Sequence, residues 1–106
     1  MRYRASKVSK ACDISTKVKK SVYERDNGRC VVCGAPGAPN AHYIPRSASG
    51  LGIEQNIVTL CFEHHEQFDH GDEETMAGIA EVIRSYLQEH YPDWDEEDLY
   101  YKKYGD

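Results

Sequence analysis

Two pairs of closely spaced cysteine and histidine residues are the clearest chemical feature of this 106-residue sequence. Cys30 and Cys33 form a C-x2-C pair, and Cys61 and His64 form a C-x2-H pair after 27 intervening residues. Each two-residue spacer lets a tight turn aim both side chains at one ion, and zinc favours a tetrahedron of thiolate and imidazole ligands. The spacing therefore predicts a closed, structural zinc site whose formation is part of folding. Four unrelated residues, or a redox pair of Cys30 and Cys33, are the alternatives.

Four further polar residues, His42, Asn56, His65 and Asp69, are of the types that hydrolysis of a phosphodiester requires. That reaction needs a base to activate water, a cation to stabilise the charge that builds on the phosphate, and groups that orient both. Histidine is a suitable base near neutral pH. His65 and Asp69 are four residues apart, so on a helix they would share one face and could bind one metal ion. An exposed helix face and an asparagine that caps a turn are the plainer interpretations.

The segments that carry these residues predict the order strand, strand, helix. Residues 41–45 and the β-branched stretch 56–60 predict two short strands joined by a glycine-rich connection, which together form a hairpin. A short helix is expected to begin near Cys61 or Phe62, because the polar residues that follow recur at helical intervals. The zinc pairs thus bracket the hairpin and the start of the helix.

Helices are expected on both sides of this motif. Apolar residues every four positions predict a helix over 16–26, capped by Ser15 or Thr16 and ended by Gly28. A longer helix is predicted over 74–89, with an apolar stripe that forms core, namely Met76, Ile79, Ala80, Ile83, Tyr86 and Leu87. Asp93 and Glu96 resemble a capping box for a last helix.

The length allows one domain with a modest core. We expect a basic, flexible arm over 1–13 and a single domain over 14–106, with the core motif at 30–71 and a helical extension at 72–106. The chain has no apolar stretch of membrane-spanning length, and its N-terminus lacks the apolar core of a secretory signal. These features predict a protein of the reducing cytoplasm, where four cysteines are more often metal ligands than disulfides.

The net charge of −5 is divided unevenly along the chain. Residues 1–47 carry ten Lys or Arg against three Asp or Glu, whereas residues 48–106 carry three against fifteen. The basic half is a candidate surface for DNA phosphates, with Lys17, Lys20 and Arg29 as candidate contacts. Charge blocks that only keep the surface soluble are the alternative.

The stretch from CVVCG through AHYIPRSASGLGIEQNIVTLCFEHHEQFDHG resembles the HNH endonuclease family, particularly its small, often phage-encoded members with a zinc knuckle. The resemblance covers residues 30–71 closely, and the preceding KVKKSVYERDNGRC is similar to the entry helix of the family. It implies an α+β fold in which a small ββα-metal motif is built on a structural zinc site. An N-terminal helix and C-terminal helices would flank that motif.

The resemblance also implies roles for individual residues. His42 would be the general base, and Asn56 would fix the geometry that orients it. His65 and Asp69 would hold the catalytic ion, commonly magnesium or manganese, or a transition metal such as nickel or zinc. Arg46, just after the first strand, would meet a phosphate.

Three positions depart from the family pattern. Ala41 stands where many members carry Asp or His as a metal ligand, so the catalytic ion would lose a protein contact. Asp69 replaces a frequent final histidine, which shifts the site toward oxygen ligands and toward magnesium or manganese. His64 replaces a frequent cysteine, a change that zinc tolerates.

The function implied is metal-dependent hydrolysis of double-stranded DNA with little sequence preference. One active site cuts one strand, so a double-strand break would need a dimer, a second binding event or a partner enzyme, and the sequence does not specify the oligomeric state. The family context suggests phage DNA packaging beside a terminase, or another DNA-processing protein in restriction or mobile elements. The alternative is a zinc-containing module that binds DNA or a protein without catalysis.

Overall fold

The computed structural model of the protein describes residues 7–102, which form a small α+β fold. The helices are α1 (Lys7–Cys12), α2 (Thr16–Arg25), α3 (Phe62–His70) and α4 (Glu73–His90), and the strands are β1 (Ala38–His42) and β2 (Ile57–Leu60). Two short 3₁₀ helices, Arg46–Ala48 and Glu96–Leu99, lie in the connections. The predicted α+β class is confirmed, with two strands followed by a helix and with helices on either side.

Helix α2 lies where the sequence predicts it, apart from its last residue. The Ser15 hydroxyl accepts a hydrogen bond from the backbone N–H of Val18 at 3.1 Å and so caps the first turn. The helix ends as Asn27 and Gly28 adopt positive φ values of 57° and 65°. Val22, on the inner face, is completely buried.

The hairpin pairs β1 with β2 in antiparallel register, with Ala41 opposite Val58 and His42 opposite Ile57. Strand β1 begins three residues earlier than predicted, because a bulge between Ala38 and Ala41 places Pro39 where no ladder hydrogen bond is needed. The prediction that the strand continues to residue 45 is wrong. Beyond His42 the N–H of Tyr43 still donates to the carbonyl of Asn56, and the buried side chain of Asn56 then holds Ile44 in place of strand pairing.

Helix α4 closes the core on one face of the sheet. Its predicted apolar stripe is confirmed by Ile79, Ile83 and Leu87, which are buried against Val58 and Leu60 of β2. Helix α3 packs beside α4 and begins at Phe62, as predicted. Within residues 7–102, no helix combines the length and the apolar composition needed to cross a bilayer.

Both ends of the described chain differ from expectation. Residues 7–12, which the sequence predicts to be part of a flexible arm, form α1, while residues 1–6 lie outside the described part of the chain. The predicted last helix is only the 3₁₀ turn Glu96–Leu99, and its N-terminal cap is Asp95, not Asp93. The carboxylate of Asp95 accepts a hydrogen bond from the backbone N–H of Glu97 and so caps this turn two residues later than predicted.

Candidate metal centre and active site

The first half of the candidate metal centre is a tight turn that presents Cys30 and Cys33. The backbone N–H of Cys30 donates to the carbonyl of Ala35, and that of Gly34 donates to the carbonyl of Cys30. Gly34 has a φ of 82°, which a residue with a side chain rarely adopts. A further hydrogen bond, from the N–H of Val31 to the carbonyl of Thr59, ties the turn to β2.

The second half is the first turn of α3, which brings Cys61 and His64 to the same side. Cys61 is the N-terminal cap of the helix, and its sulfur accepts a hydrogen bond from the backbone N–H of His64. Because β2 ends at Leu60, Cys61 lies directly beside the turn that Val31 anchors to that strand. The predicted pairing of the two halves is confirmed.

The four ligand atoms match a tetrahedral site. They all lie within 4.8 Å of one another. The Sγ atoms of Cys33 and Cys61 are 3.8 Å apart, and the Nδ1 of His64 lies 3.7 Å from the Sγ of Cys30 and 3.3 Å from that of Cys61. Tetrahedral zinc would place two sulfurs ~3.8 Å apart and sulfur and nitrogen ~3.6 Å apart. The Cys3His cluster can therefore hold a structural metal ion such as zinc.

The surroundings of Cys30 favour the thiolate that a metal requires. Burial opposes the charge, but the backbone N–H groups of Cys61, Cys33 and Val32 outweigh it and lower the pKa of Cys30 to about 7. The N–H of Val32 lies 3.4 Å from the Cys30 sulfur. These donors favour the thiolate form of Cys30 near neutral pH.

His42, at the end of β1, has a fixed tautomer. Its Nε2 lies 2.8 Å from the backbone carbonyl oxygen of Cys12, the last residue of α1. A carbonyl only accepts hydrogen bonds, so the neutral ring carries its proton on Nε2 and leaves the lone pair on Nδ1. Carbonyl groups in the last turn of a helix have no hydrogen-bond partner within the helix. The Cys12 carbonyl is one of these groups, and the imidazole of His42 donates to it. The ring is thereby held as a proton acceptor.

The protonation equilibrium of His42 also favours the neutral ring. Burial is the largest influence and lowers the pKa of this half-buried side chain. The Cys12 carbonyl and the Asp13 carboxylate act in the opposite direction, while electrostatic interactions with Arg46 and His65 add to the lowering of the His42 pKa. The net shift of the pKa is downward from 6.5, so the neutral form of His42 predominates at pH 7.

Asn56 is completely buried and holds the chain that follows His42. Its Oδ1 accepts from the N–H of Ile44 at 2.8 Å, and its Nδ2 donates to the carbonyls of Ile44 at 3.1 Å and Leu51 at 2.8 Å. The carbonyl of Asn56 itself accepts the N–H of Tyr43. The side chain thus fixes the exit of β1 and both ends of the connection to β2.

His65 and Asp69 share one face of α3, as their spacing predicts. The Nε2 of His65 lies 3.5 Å from the Oδ2 of Asp69, and both side chains are accessible, at 29% and 54% exposure. They offer one nitrogen and one carboxylate ligand. Among residues 7–102, the Cys3His cluster is the only group of three or more close metal-ligating side chains. An ion at His65 and Asp69 would therefore complete its coordination with water or substrate.

His42, His65 and Asp69 lie on one side of the molecule. His42 and Asp69 both line a groove of about 660 Å³ between the end of β1 and helices α3 and α4. His65 and Asp69 line an adjoining depression of about 150 Å³. The predicted base and the predicted ligand pair therefore line two adjoining recesses; we call the larger one, lined by His42 and Asp69, the His42 groove.

Ala41 is a core residue in this fold. It is completely buried and packs with Val58 and Ile83 on the face of β1 opposite His42. The side chain at this position thus contributes apolar packing and no ligand.

The predicted phosphate contacts fall into two groups. Lys17 and Lys20 are exposed on α2. Arg29 and Arg46 are exposed but engaged: Arg29 donates to the carbonyl of Gly34 at 3.0 Å, and Arg46 forms an ion pair with Asp13 at 2.9 Å. Arg29 thus supports the turn of the metal centre, and Arg46 joins the end of α1 to the loop after β1.

A buried ionic network that the sequence analysis did not predict connects α2, β2 and α4. Arg25 binds Asp26 through both carboxylate oxygens, at 2.7 and 3.1 Å, and donates to the carbonyls of Glu54 and Ile57. Tyr86 of α4 donates to the same Asp26 carboxylate, which also accepts the N–H of Thr59. Nothing in the sequence marks Arg25 among the basic residues of α2 as buried, since its partners lie up to 66 residues away.

A scan against models of known protein families finds no match to this chain, and a search of curated protein sequences finds no relative. The fold and the site together define a small α+β protein that has a Cys3His cluster able to hold a metal ion and a separate groove lined by histidine.

Proposed function

We propose that the protein is a metal-dependent endonuclease of the HNH type that hydrolyses DNA phosphodiester bonds. The observation that carries the proposal is the 2.8 Å contact between His42 Nε2 and the Cys12 carbonyl, which leaves Nδ1 as a proton acceptor beside the groove shared with Asp69. A neutral histidine with a fixed tautomer is what a general base for water requires.

In this proposal His42 takes the proton of the attacking water, and Asn56 keeps the end of β1 in place while it does so. The buried amide holds Ile44 on both its N–H and its carbonyl, so the backbone two residues beyond His42 cannot drift. Positioning of this kind matters because misplacing a catalytic group by about 1 Å can cost roughly 100-fold in rate.

His65 and Asp69 would hold the catalytic ion. A divalent cation bound there would stabilise the charge that develops on the phosphate and on the leaving oxygen. One imidazole and one carboxylate suit magnesium or manganese, and the nitrogen ligand also suits nickel or zinc. The Cys3His cluster would bind a separate, structural zinc ion.

The proposed substrate is double-stranded DNA, cut one strand at a time in the cytoplasm. Lys17 and Lys20 would contact phosphates, and Arg46 would do so once it leaves Asp13. A terminase or another DNA-processing protein would be the partner that turns single-strand nicks into a defined product.

A supercoiled plasmid tests the proposal. The zinc-loaded protein should nick it when Mg²⁺ or Mn²⁺ is added, and His42→Ala should lower the rate by roughly 10²- to 10⁴-fold. Omitting the added ion is a better control than a chelator, because a chelator would also remove the structural ion. His90→Ala, an exposed histidine that does not line the groove, is the matched control and should nick at the normal rate.

The second candidate is a non-catalytic zinc module that binds DNA or a protein partner. It is favoured by the small number of side-chain ligands at His65 and Asp69 and by the burial of Ala41, where a further ligand would have to stand. Unchanged binding of DNA by His42→Ala, with no nicking by either protein, would favour this module. Thiols that cycle while no metal is bound would instead favour a redox role for Cys30 and Cys33.

A further inference from the structure

The walls of the His42 groove are apolar away from His42, Ser47, Asp69 and His70. They are formed by the loop after β1, the last turn of α3 and the first turns of α4, with the side chains of Ile44, Pro45, Phe68, Met76, Ala77 and Ala80. The volume of about 660 Å³ is in the range of roughly 300–1,000 Å³ that is typical of sites for small organic molecules. The bases of a paired duplex are stacked on one another, so their flat apolar faces are not available to enter such a recess.

We infer that the groove binds one unpaired nucleotide of DNA, next to the phosphodiester that is cut. The inference rests on the proposed function and adds the substrate class: DNA with an extrahelical or otherwise unpaired base. Two aromatic side chains, Tyr43 and Phe68, line the groove, and every nucleobase has an apolar face that stacks on such a ring. Unpairing the base exposes that face.

The distribution of polar groups sets the orientation of the nucleotide. Among the residues that line the groove there is no Lys or Arg, and Asp69 is the single carboxylate. A phosphate therefore has no cationic partner along the apolar walls, whereas an uncharged base fits them. The phosphate is left beside the polar lining residues His42, Asp69 and His70, which include the proposed water-activating group. Ser47 adds a hydroxyl that can bond to the polar edge of the base.

Cleavage of matched duplexes tests this inference. Three labelled substrates are compared: a fully paired duplex, the same duplex with one extrahelical thymidine, and the same bulge with an abasic sugar in place of the thymidine. The thymidine bulge should be cut at least roughly tenfold faster than the other two substrates, because stacking of one base contributes about that much. It should also be bound at least roughly tenfold more tightly when no Mg²⁺ or Mn²⁺ is added. Equal behaviour of all three substrates, or of the two bulges, would overturn the inference.

Two leucine variants on neighbouring positions of α4 provide the protein control. Ala77→Leu fills the groove from an exposed helical position, and Gly78→Leu carries the same side chain where an added Cβ meets no atom within 4 Å. We expect Ala77→Leu to lose the preference for the thymidine bulge and Gly78→Leu to keep it. A preference retained in both variants would contradict the inference.

The binding measurement separates this inference from the proposed function. If none of the substrates is cut but the thymidine bulge is still bound more tightly, the nuclease proposal fails and the nucleotide site stands. If all are cut at equal rates, the nuclease stands and the nucleotide site fails.

Discussion

The ring of His42 donates from Nε2 to the carbonyl oxygen of Cys12 over 2.8 Å, and this contact joins the end of β1 to the end of α1. Two further contacts hold α1 in place: the N–H of Gly52 donates to the carbonyl of Ala11, and Arg46 pairs with Asp13. A Cβ on Gly52 would lie 2.1 Å from the carbonyl oxygen of Asp13, so only glycine allows this approach. A short helix outside the predicted domain thus determines the tautomer of the candidate base.

The first prediction concerns stability and pH. Because the pKa of His42 is lowered in the folded protein, the unfolded chain binds this proton more readily. The contribution of neutral His42 to stability is therefore complete above pH 6.5 and is lost as the pH falls from 6.5 through the lowered pKa. Urea unfolding at about pH 7.5 and about pH 5.5 should show a larger loss for the natural protein than for His42→Gln. Equal losses would contradict the assigned environment.

The second prediction concerns the metal centre. Purified protein should contain one tightly bound zinc ion per chain, and Cys61→Ala should abolish it together with cooperative unfolding, because binding to such sites contributes about 10–16 kcal/mol. Elemental analysis and thermal unfolding measure both effects. Cys12→Ala is the matched control: Cys12 is buried but lies outside the cluster, so this variant should keep its zinc.

The third prediction concerns Asn56. Replacing it with Ala leaves the N–H and the carbonyl of Ile44 without their partner in a buried site, and each unsatisfied group costs about 1–3 kcal/mol. The free energy of unfolding should fall by about 3 kcal/mol in urea titrations. Asn40→Ala, an exposed residue of β1, should change it by less than about 0.5 kcal/mol. Similar effects of the two substitutions would show that the hydrogen bonds of the Asn56 side chain do not stabilise the fold.

The fourth prediction concerns the buried network of Arg25 and Asp26. Burial alone would raise the pKa of Asp26, but Arg25, Tyr86 and the N–H of Thr59 bind the carboxylate and lower it below 3.8. The stabilisation is therefore present above pH 3.8 and is lost as the pH falls through the lowered pKa. Arg25→Ala should cost about 3–5 kcal/mol near neutral pH, because it leaves a buried charge without its partner.

The exposed pair of Arg84 and Glu81 is the control for this network. Its groups are 3.4 Å apart on the surface of α4, so Arg84→Ala should change the free energy of unfolding by less than about 1 kcal/mol. Comparable losses for Arg25→Ala and Arg84→Ala in the same urea titrations would show that the buried network does not stabilise the fold.

The local parts of this structure could be predicted from the sequence. The C-x2-C and C-x2-H spacings give the metal cluster, the four-residue period gives α2 and α4, and the i to i+4 spacing places His65 beside Asp69. The helices and the His65–Asp69 pair depend on residues that are near one another in the chain. The metal cluster depends on ligand spacings that are typical of a tetrahedral zinc site.

The parts that could not be predicted depend on distant partners. Helix α1 is only six residues long and is held by contacts to Gly52, His42 and Arg46, none of which is local. Because of its bulge, β1 begins at Ala38 instead of at residue 41, and nothing in residues 41–45 indicates this earlier start. Arg25 resembles the solvated lysines of the same helix until the fold brings Asp26, Glu54 and Tyr91 around it.

The pH dependence of single-turnover DNA cleavage tests the central claim most directly. With Mn²⁺ at a fixed saturating concentration, the rate should rise as His42 loses its proton, with an inflection below pH 6.5, because burial lowers the pKa of this base. His42→Ala should lack that inflection and should cut roughly 10²- to 10⁴-fold more slowly. An unchanged rate and an unchanged pH profile in His42→Ala would contradict the account.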